Sequence, residues 1–176
     1  MGKKKYPKTG VEFIALGDLD ELNSLLGIIK GEKRDTCFFH DSKIFETLEF
    51  VQQDLFIIQA HVGAFWFENK YKPPDFSHEK VRIIEEHIAR LETTLPPCKQ
   101  FVVAGQNELS AWLDYARAVA RRAERSVLAH HAKRSLDPAV LSYLNRLSSL
   151  LFVLARAAAL RSDKHESHPR YASAIL

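Results

Sequence analysis

The residues best suited to chemistry form an arginine ladder: Ala116-Arg117-Ala118-Val119-Ala120-Arg121-Arg122-Ala123-Glu124-Arg125. In a helix, residues three and four apart share a face. Arg117, Arg121 and Arg125 therefore line one stripe, with Glu124 beside it and Arg122 on its shoulder. Guanidinium groups held on a rigid helix suit bidentate recognition of phosphate or carboxylate. The small alanines between them let another helix approach closely. The alternative is a solvated salt-bridge face, since exposed charge runs are frequent. A second segment, Tyr143 to Phe152, embeds Asn145 and Ser149 one turn apart among Leu and Phe, with Arg156 beyond them. Polar groups there need partners if buried, and either a ligand or neighbouring helices could supply them. A third segment, Gly17 to Ser24, carries Asp18, Asp20 and Glu21. Asp20, Asn23 and Ser24 share one side at i, i+3 and i+4. A carboxylate there suits pairing with an arginine of the ladder; otherwise these acids only complement the dipole of a first helical turn.

Five helices are expected to position these residues. The first runs from about Asp18 to Lys30 and stops at Gly31. The second begins after Asp41 or Ser42 and reaches about Phe67, with Phe45, Leu48, Val51, Leu55, Ile58 and Val62 at helical spacing. Pro73-Pro74 marks a loop. Ser77 is placed to cap the third helix, which ends before Pro96-Pro97. Phe101 to Gly105 form a short extended connection. The fourth helix runs from about Asn107 to His130, and the fifth from Asp137-Pro138, an N-cap followed by proline at the first helical position, to about Arg161. No alternating strands or repeats are seen. The expected fold is an all-α, up-and-down five-helix bundle. Residues 1–176 form one domain, with a helical core from about 17 to 161, a flexible N-terminus and a polar, mobile tail from Ser162. The last two helices are apolar on more than one side, which suits central helices or ones buried again by another subunit.

The 176 residues, 46% hydrophobic and 27% charged, fit a soluble globular domain. A net charge of +3 does not support a nucleic-acid partner. Cys37 and Cys98 are too few for a disulfide framework and lack metal-type spacing, so a cytoplasmic setting is expected. Lys3-Lys4-Lys5 is not followed by the apolar run of a secretory signal. The richest apolar stretch, Leu147 to Leu160, is interrupted by Ser148, Ser149 and Arg156, so no membrane partner is expected. His130-His131, and His165 with His168, lack a third ligand at fixed spacing, and no metal site is assigned. Phe65-Trp66-Phe67 reads as core or interface. Neither a Gly-rich phosphate loop nor a Ser-His-Asp arrangement is present.

Taken together, the blocks make the chain resemble the PduO-type ATP:corrinoid (cob(I)alamin) adenosyltransferases over roughly Lys8 to Arg161. Gly17-Asp18-Leu19-Asp20-Glu21-Leu22-Asn23-Ser24 is similar to the family's G-x-x-DELNS block. Arg117 to Arg125 resembles its AR-x-x-x-RRAER block, and Leu144-Asn145-Arg146-Leu147-Ser148 its LNRLS block. Gln53-Asp54-Leu55-Phe56 is similar to a weaker Q-x-DLF element. The resemblance implies a five-helix bundle forming a homotrimer with sites between subunits, and a ferritin-like arrangement of helices. It implies transfer of the 5′-deoxyadenosyl group of ATP to the cobalt of a reduced corrinoid, with triphosphate leaving. ATP, with Mg2+, and cobalamin are the implied substrates; a reductase or a B12-dependent enzyme is an implied partner.

By the same resemblance, Arg121, Arg122 and Glu124 hold ATP and its triphosphate. Arg117 pairs with Asp20 at a subunit boundary and shapes the corrinoid side. Asn145 contacts the nucleotide, with Ser149 beside it, and Lys8 approaches the triphosphate. Phe101 lies beneath the corrin ring and displaces the lower axial ligand, which eases reduction to cobalt(I). The chain also departs from the pattern. The family's N-terminal phosphate-wrapping segment is absent ahead of Lys8-Thr9-Gly10. Its PGG reads Ala104-Gly105-Gln106, and its aspartate after LNRLS reads Ser149. These departures imply a divergent member with weakened ATP affinity. The alternative is a non-catalytic homologue that binds a nucleotide or corrinoid as a sensor, a chaperone or a subunit of a mixed assembly.

Overall fold

The computed structural model describes residues 7–31, 42–67, 71–160 and 167–169. They form α1 (Val11–Gly31), α2 (Ser42–Gly63) with a 3-10 turn at Ala64–Phe67, α3 (His78–Glu92), α4 (Glu108–His131) and α5 (Pro138–Leu160). No strand occurs among the described residues. Side-chain pairs fix the directions. Gln52 donates to the Asn23 carbonyl and Lys30 pairs with Glu49, so α1 and α2 are antiparallel. Lys80 meets Asp54 and Thr47 meets His87, which sets α3 against α2. Arg134 reaches Glu12 and Arg122 reaches Asp18, so α4 descends along α1. Glu124 with Asn145 and Asn107 with Ala158 run α5 back along α4. The bundle is up-and-down, with α3 parallel to α5.

The α5 helix is the centre. Tyr143, Leu144, Leu147, Leu150, Leu151 and Leu154 are all buried, against α4 on one side and α3 on the other. A helix apolar on most of its circumference must be wrapped by others. By length and composition it is the one helix among the described residues that could span a membrane, yet it is mostly buried inside the bundle. Its start follows local chemistry: Asp137 Oδ1 accepts from the Ala139 N–H at 2.8 Å, with Pro138 at the first position. At the start of α4, Asn107 accepts from the Ser110 N–H at 2.8 Å and Ser110 accepts from the Asn107 N–H at 2.9 Å, a reciprocal capping box.

Four expectations need correction. First, α1 begins at Val11, not near Asp18. A turn closed by the Gly10 N–H on the Pro7 carbonyl at 2.9 Å starts it, and Gly17 is carried inside the helix rather than breaking it. Residues 11–17 are therefore helical core, and Asp18, Asp20 and Glu21 stand too far along α1 to complement its first turn. Second, α2 ends at Gly63 and tightens to 3-10 geometry up to Phe67. Third, Ser77 occupies the N-cap of α3 in extended backbone, but its side chain makes no capping bond. Fourth, the tail is not wholly free. Val103 N–H donates to the Ser167 carbonyl at 2.8 Å, and His168 Nδ1 lies 2.9 Å from the Phe101 carbonyl oxygen. The expected N-cap Asp41 and the metal candidate His165 lie outside the described residues.

Two buried polar groups stand out. Asp54, 1% exposed, pairs with Lys80 and faces Tyr143, which is wholly buried. Burial, and after it the Asp54 carboxylate, push the Tyr143 phenol well above its usual range. His130, 1% exposed in the last turn of α4, has no hydrogen-bond partner for Nδ1 among the described residues. Its pKa is lowered, chiefly by burial; Glu12 of α1 opposes this, while Arg134 and His131 add to it. His87 on α3 is lowered as well, by burial and Arg90. A buried neutral imidazole contributes fully above the unfolded-state pKa of about 6.5, and its contribution is lost as pH falls below that value. Melting temperature is therefore expected to drop between about pH 7 and pH 5.5, with His130→Leu flattening part of the slope. An unchanged slope in His130→Leu, measured by circular dichroism, would place the proton uptake elsewhere.

Candidate functional site

The pairing of Glu124 with Asn145 sets the register of the α4–α5 seam. One turn along, Arg121 must face Ser148 and Ser149, and a further turn brings Arg117 to Phe152. There the seam opens into a groove of about 730 Å3 between α4, α5, the end of α3 and the connection after it. Arg117, Arg121, Ser149 and Phe101 all line it. A volume of this size is that of a small-molecule site. Its charged lining is mostly positive: Arg117, Arg121 and Lys99 against Glu92.

Phe101 is the exposed member. The ring is 79% accessible at the groove, more than any other large apolar side chain among the described residues. An exposed aromatic at the wall of a cationic groove offers a flat apolar face to a bound molecule. Arg117 is half-buried. Its Nε lies 3.8 Å from Asp114 Oδ1 and has no hydrogen-bond partner among the described residues. An ionic donor in that position is incompletely satisfied by its own chain.

The remaining sequence candidates sort differently. Glu124 Oε1 accepts from Asn145 Nδ2 at 2.9 Å, and Asn145 Oδ1 accepts from Arg146 at 2.8 Å. This polar chain lies one turn from the groove on the same seam. Arg122 turns the other way, to Asp18 at 3.2 Å and to Glu21 on α1. These acids raise its pKa, the Glu21 hydrogen bond most of all. The acid block of α1 thus meets the arginine ladder through Asp18 and Glu21. Asp20 and Ser24 are exposed, and Asp20 makes no ion pair with the described residues; Asn23, at the edge of the same side, is buried. Lys8 is exposed ahead of α1, near the end of α4 where Arg134 meets Glu12. The distance from there back to Arg117 is roughly 25 Å of helix. Within one chain, Lys8 and Asp20 do not join the groove. Among the described residues no three His, Cys, Asp or Glu side chains gather as a metal site requires.

The sequence model of the cobalamin adenosyltransferase family matches residues 1–158. The chain belongs to this family. A corrinoid adenosyltransferase of Mycobacterium leprae is 39% identical over 170 residues, which span 90% of this chain and 84% of that one. That of Bacillus subtilis is 31% identical over 155 residues, 88% of this chain and 78% of the relative. Among solved structures, a variant PduO-type ATP:corrinoid adenosyltransferase from Lactobacillus reuteri, complexed with cobalamin and ATP, superposes with a TM-score of 0.83 at 27% identity. The match covers 94% of this chain and 87% of that one. The all-helical architecture of this family member agrees with that neighbour.

Sequence reasoning missed two participants. Lys99 and Asp114 lie outside the motif blocks, and nothing in their spacing marks them. Asp54, in the weaker Q-x-DLF element, is carried to Lys80 and Tyr143 rather than to the groove. For the Arg122 cluster, partial exposure limits its worth. Arg122→Ala is expected to cost less than about 1 kcal/mol of stability in chemical denaturation, because screened ion pairs contribute little. A loss of several kcal/mol would mean that the α1–α4 contact depends on this cluster.

Proposed function

We propose that this chain is a corrinoid adenosyltransferase, transferring the 5′-deoxyadenosyl group of ATP to the cobalt of a reduced corrinoid to give adenosylcobalamin and triphosphate. The observation that carries the reading is the 79% exposed Phe101 ring at a groove lined by Arg117, Arg121 and Ser149. In the reaction, cobalt(I) supplies the electron pair that forms the Co–C5′ bond. The C5′–O bond breaks, and its electrons leave with triphosphate. The nucleophile belongs to the corrinoid, so the protein's work is orientation, desolvation and charge.

The residues fit that work. A flat aromatic at the groove suits the face of a corrin macrocycle, where it excludes water and the lower axial ligand. Arg121 offers a fork of donors to the departing phosphates. Arg122, turned to Asp18 and Glu21 on α1, meets the phosphates only if it exchanges those acids for them. Glu124 and Asn145 position each other to meet the nucleoside, with Ser149 beneath them. Mg2+ would travel with the phosphates of ATP. A groove of this volume holds only part of two such substrates, so a second copy completes the site. A homotrimer supplies it: the exposed Asp20 of one copy pairs with the incompletely satisfied Arg117 of the next, and Lys8 reaches the triphosphate across the boundary. Residues 1–176 act as one domain, in a cytoplasmic setting that keeps the exposed Cys98 reduced. A reductase that delivers cobalt(I), and an enzyme that accepts the product, are the partners this chemistry calls for.

Light scattering is expected to give three times the 20.1 kDa chain mass at micromolar concentration. A stable monomer would remove the site between subunits. The direct test of function is electron paramagnetic resonance of protein mixed with ATP and cob(II)alamin, alongside anaerobic turnover followed by absorbance. Wild type is expected to form four-coordinate cobalt(II) and, once an added one-electron reductant has converted it to cobalt(I), the Co–C bond. Phe101→Ala is expected to abolish the four-coordinate species and leave the melting curve nearly unchanged, since the ring is exposed. Corrinoid binding without turnover in wild type would instead favour a non-catalytic binding protein.

A further inference from the structure

Phe101 hangs on the connection between α3 and α4, residues 93–107, which has no regular secondary structure beyond its turns. Something must hold that connection if the ring is to sit in one place. Arg156 Nη2 donates to the Pro96 carbonyl at 2.6 Å, from α5. Ser167 and His168 hold Val103 and Phe101 from the tail. One further tie differs in kind. Asp114, on the second turn of α4, accepts from the Gly105 N–H through Oδ2 at 3.1 Å, while its Oδ1 lies 3.8 Å from Arg117 Nε. Its side chain is only 16% exposed.

Gly105 has φ +82°, the left-handed region that favours glycine. A Cβ there would meet Ala111 Cβ at an ordinary 3.6 Å, so backbone conformation, not crowding, requires the glycine. Gly105 sits in the bend between Phe101 and α4, and its amide is the one Asp114 binds. One carboxylate therefore touches both the turn behind the groove's aromatic and the groove's half-buried arginine. The ties from Arg156, Ser167 and His168 come instead from α5 and the tail.

We propose that Asp114 is a positioning residue for the adenosyl transfer: it holds the Gly105 turn and Arg117 in one frame, so that the aromatic wall and the arginine wall of the groove keep a fixed relation. The proposal rests on the corrinoid adenosyltransferase reading for its kinetic consequence, but its structural half stands alone. The Arg117 contact is longer than a hydrogen bond, so Asp114 balances the charge of Arg117 without locking its guanidinium in a hydrogen bond. Displacing a reacting group's support by an ångström is enough to cost one to two orders of magnitude in rate.

The test uses the full chain, with Asp114→Ala and Asp114→Asn. Amide hydrogen exchange over residues 98–105 is read without any ligand. Corrinoid KM, ATP KM, kcat and the four-coordinate cobalt(II) signal are read with cobalamin and ATP. In Asp114→Ala the exchange is expected to speed up and the corrinoid KM to rise about tenfold, with ATP KM within about twofold and the four-coordinate signal reduced. Asp114→Asn keeps an acceptor for the Gly105 N–H and is expected to restore the slow exchange without restoring the full kcat. Should Asp114→Ala melt far below wild type, Asp114→Asn alone carries the comparison, and its wild-type kcat and corrinoid KM would overturn the proposal. Unchanged exchange in a folded Asp114→Ala overturns it regardless of activity, as does faster exchange with an unchanged corrinoid KM. If wild type itself makes no Co–C bond, the functional reading fails separately; the exchange data and cob(II)alamin affinity of the variants then decide the role of Asp114.

Discussion

The structure depends on the burial of α5. A helix with Leu, Val, Ala and Tyr around most of its circumference leaves water only the strip that carries Asn145 and Ser149, so it must be largely surrounded, and the other helices take their places around it. α4 lies antiparallel on one side and α3 parallel on the other. Both ends of the α3–α4 connection are consequently brought to the last turns of α5: Pro96 is held by Arg156, and Asn107 donates to the Ala158 carbonyl at 2.7 Å. Neighbouring ends need only a short link. The extra length is what walls the groove and carries Phe101, in keeping with long irregular connections being functional ones.

The polar residues buried with α5 follow from the same constraint. Tyr143 and Arg156 occupy positions that the apolar pattern would give to leucine. Each is accommodated by something specific: Tyr143 by the edge of Phe76 at 5.2 Å and the nearby Asp54 carboxylate, Arg156 by the Pro96 carbonyl and the Phe152 ring at 5.8 Å. Such groups add little net stability, but they leave few alternative packings for the central helix. The groove inherits that definition, since Ser148, Ser149, Phe152 and Val153 form its floor on α5.

Much of this was legible in the sequence. The starts of α4 at Asn107 and α5 at Asp137-Pro138 are written in short-range chemistry. Whether the α1 acids pair with the arginine ladder or complement a first helical turn stayed open in the sequence, and the structure puts Asp18 and Glu21 on Arg122. What failed to show was rotational. Asp18, Asp20 and Glu21 look equivalent in a list, but only the packing angle of α1 on α4 decides that Asp18 and Glu21 reach Arg122 while Asp20 faces away. Arg121 and Arg122 are neighbours in sequence and point to different elements for the same reason. The start of α1 was misread because Gly17 beside a cluster of acids imitates a helix N-terminus, and tertiary packing of Ala15 and Leu19 overrode that local signal. Asp114 and Gly105 could not be paired from sequence, because the contact depends on the path of an irregular connection.

The order in which the ribosome makes the helices has a consequence for α5. It is the most membrane-like segment of the described chain and would be the most adhesive if it emerged alone. It is also the last of the five helices to be made. By the time it leaves the exit tunnel, α3 and α4 already exist, and between them they offer the surfaces that it must bury. Synthesis order thus shields the stickiest element of the fold during the interval when it has no tertiary structure of its own.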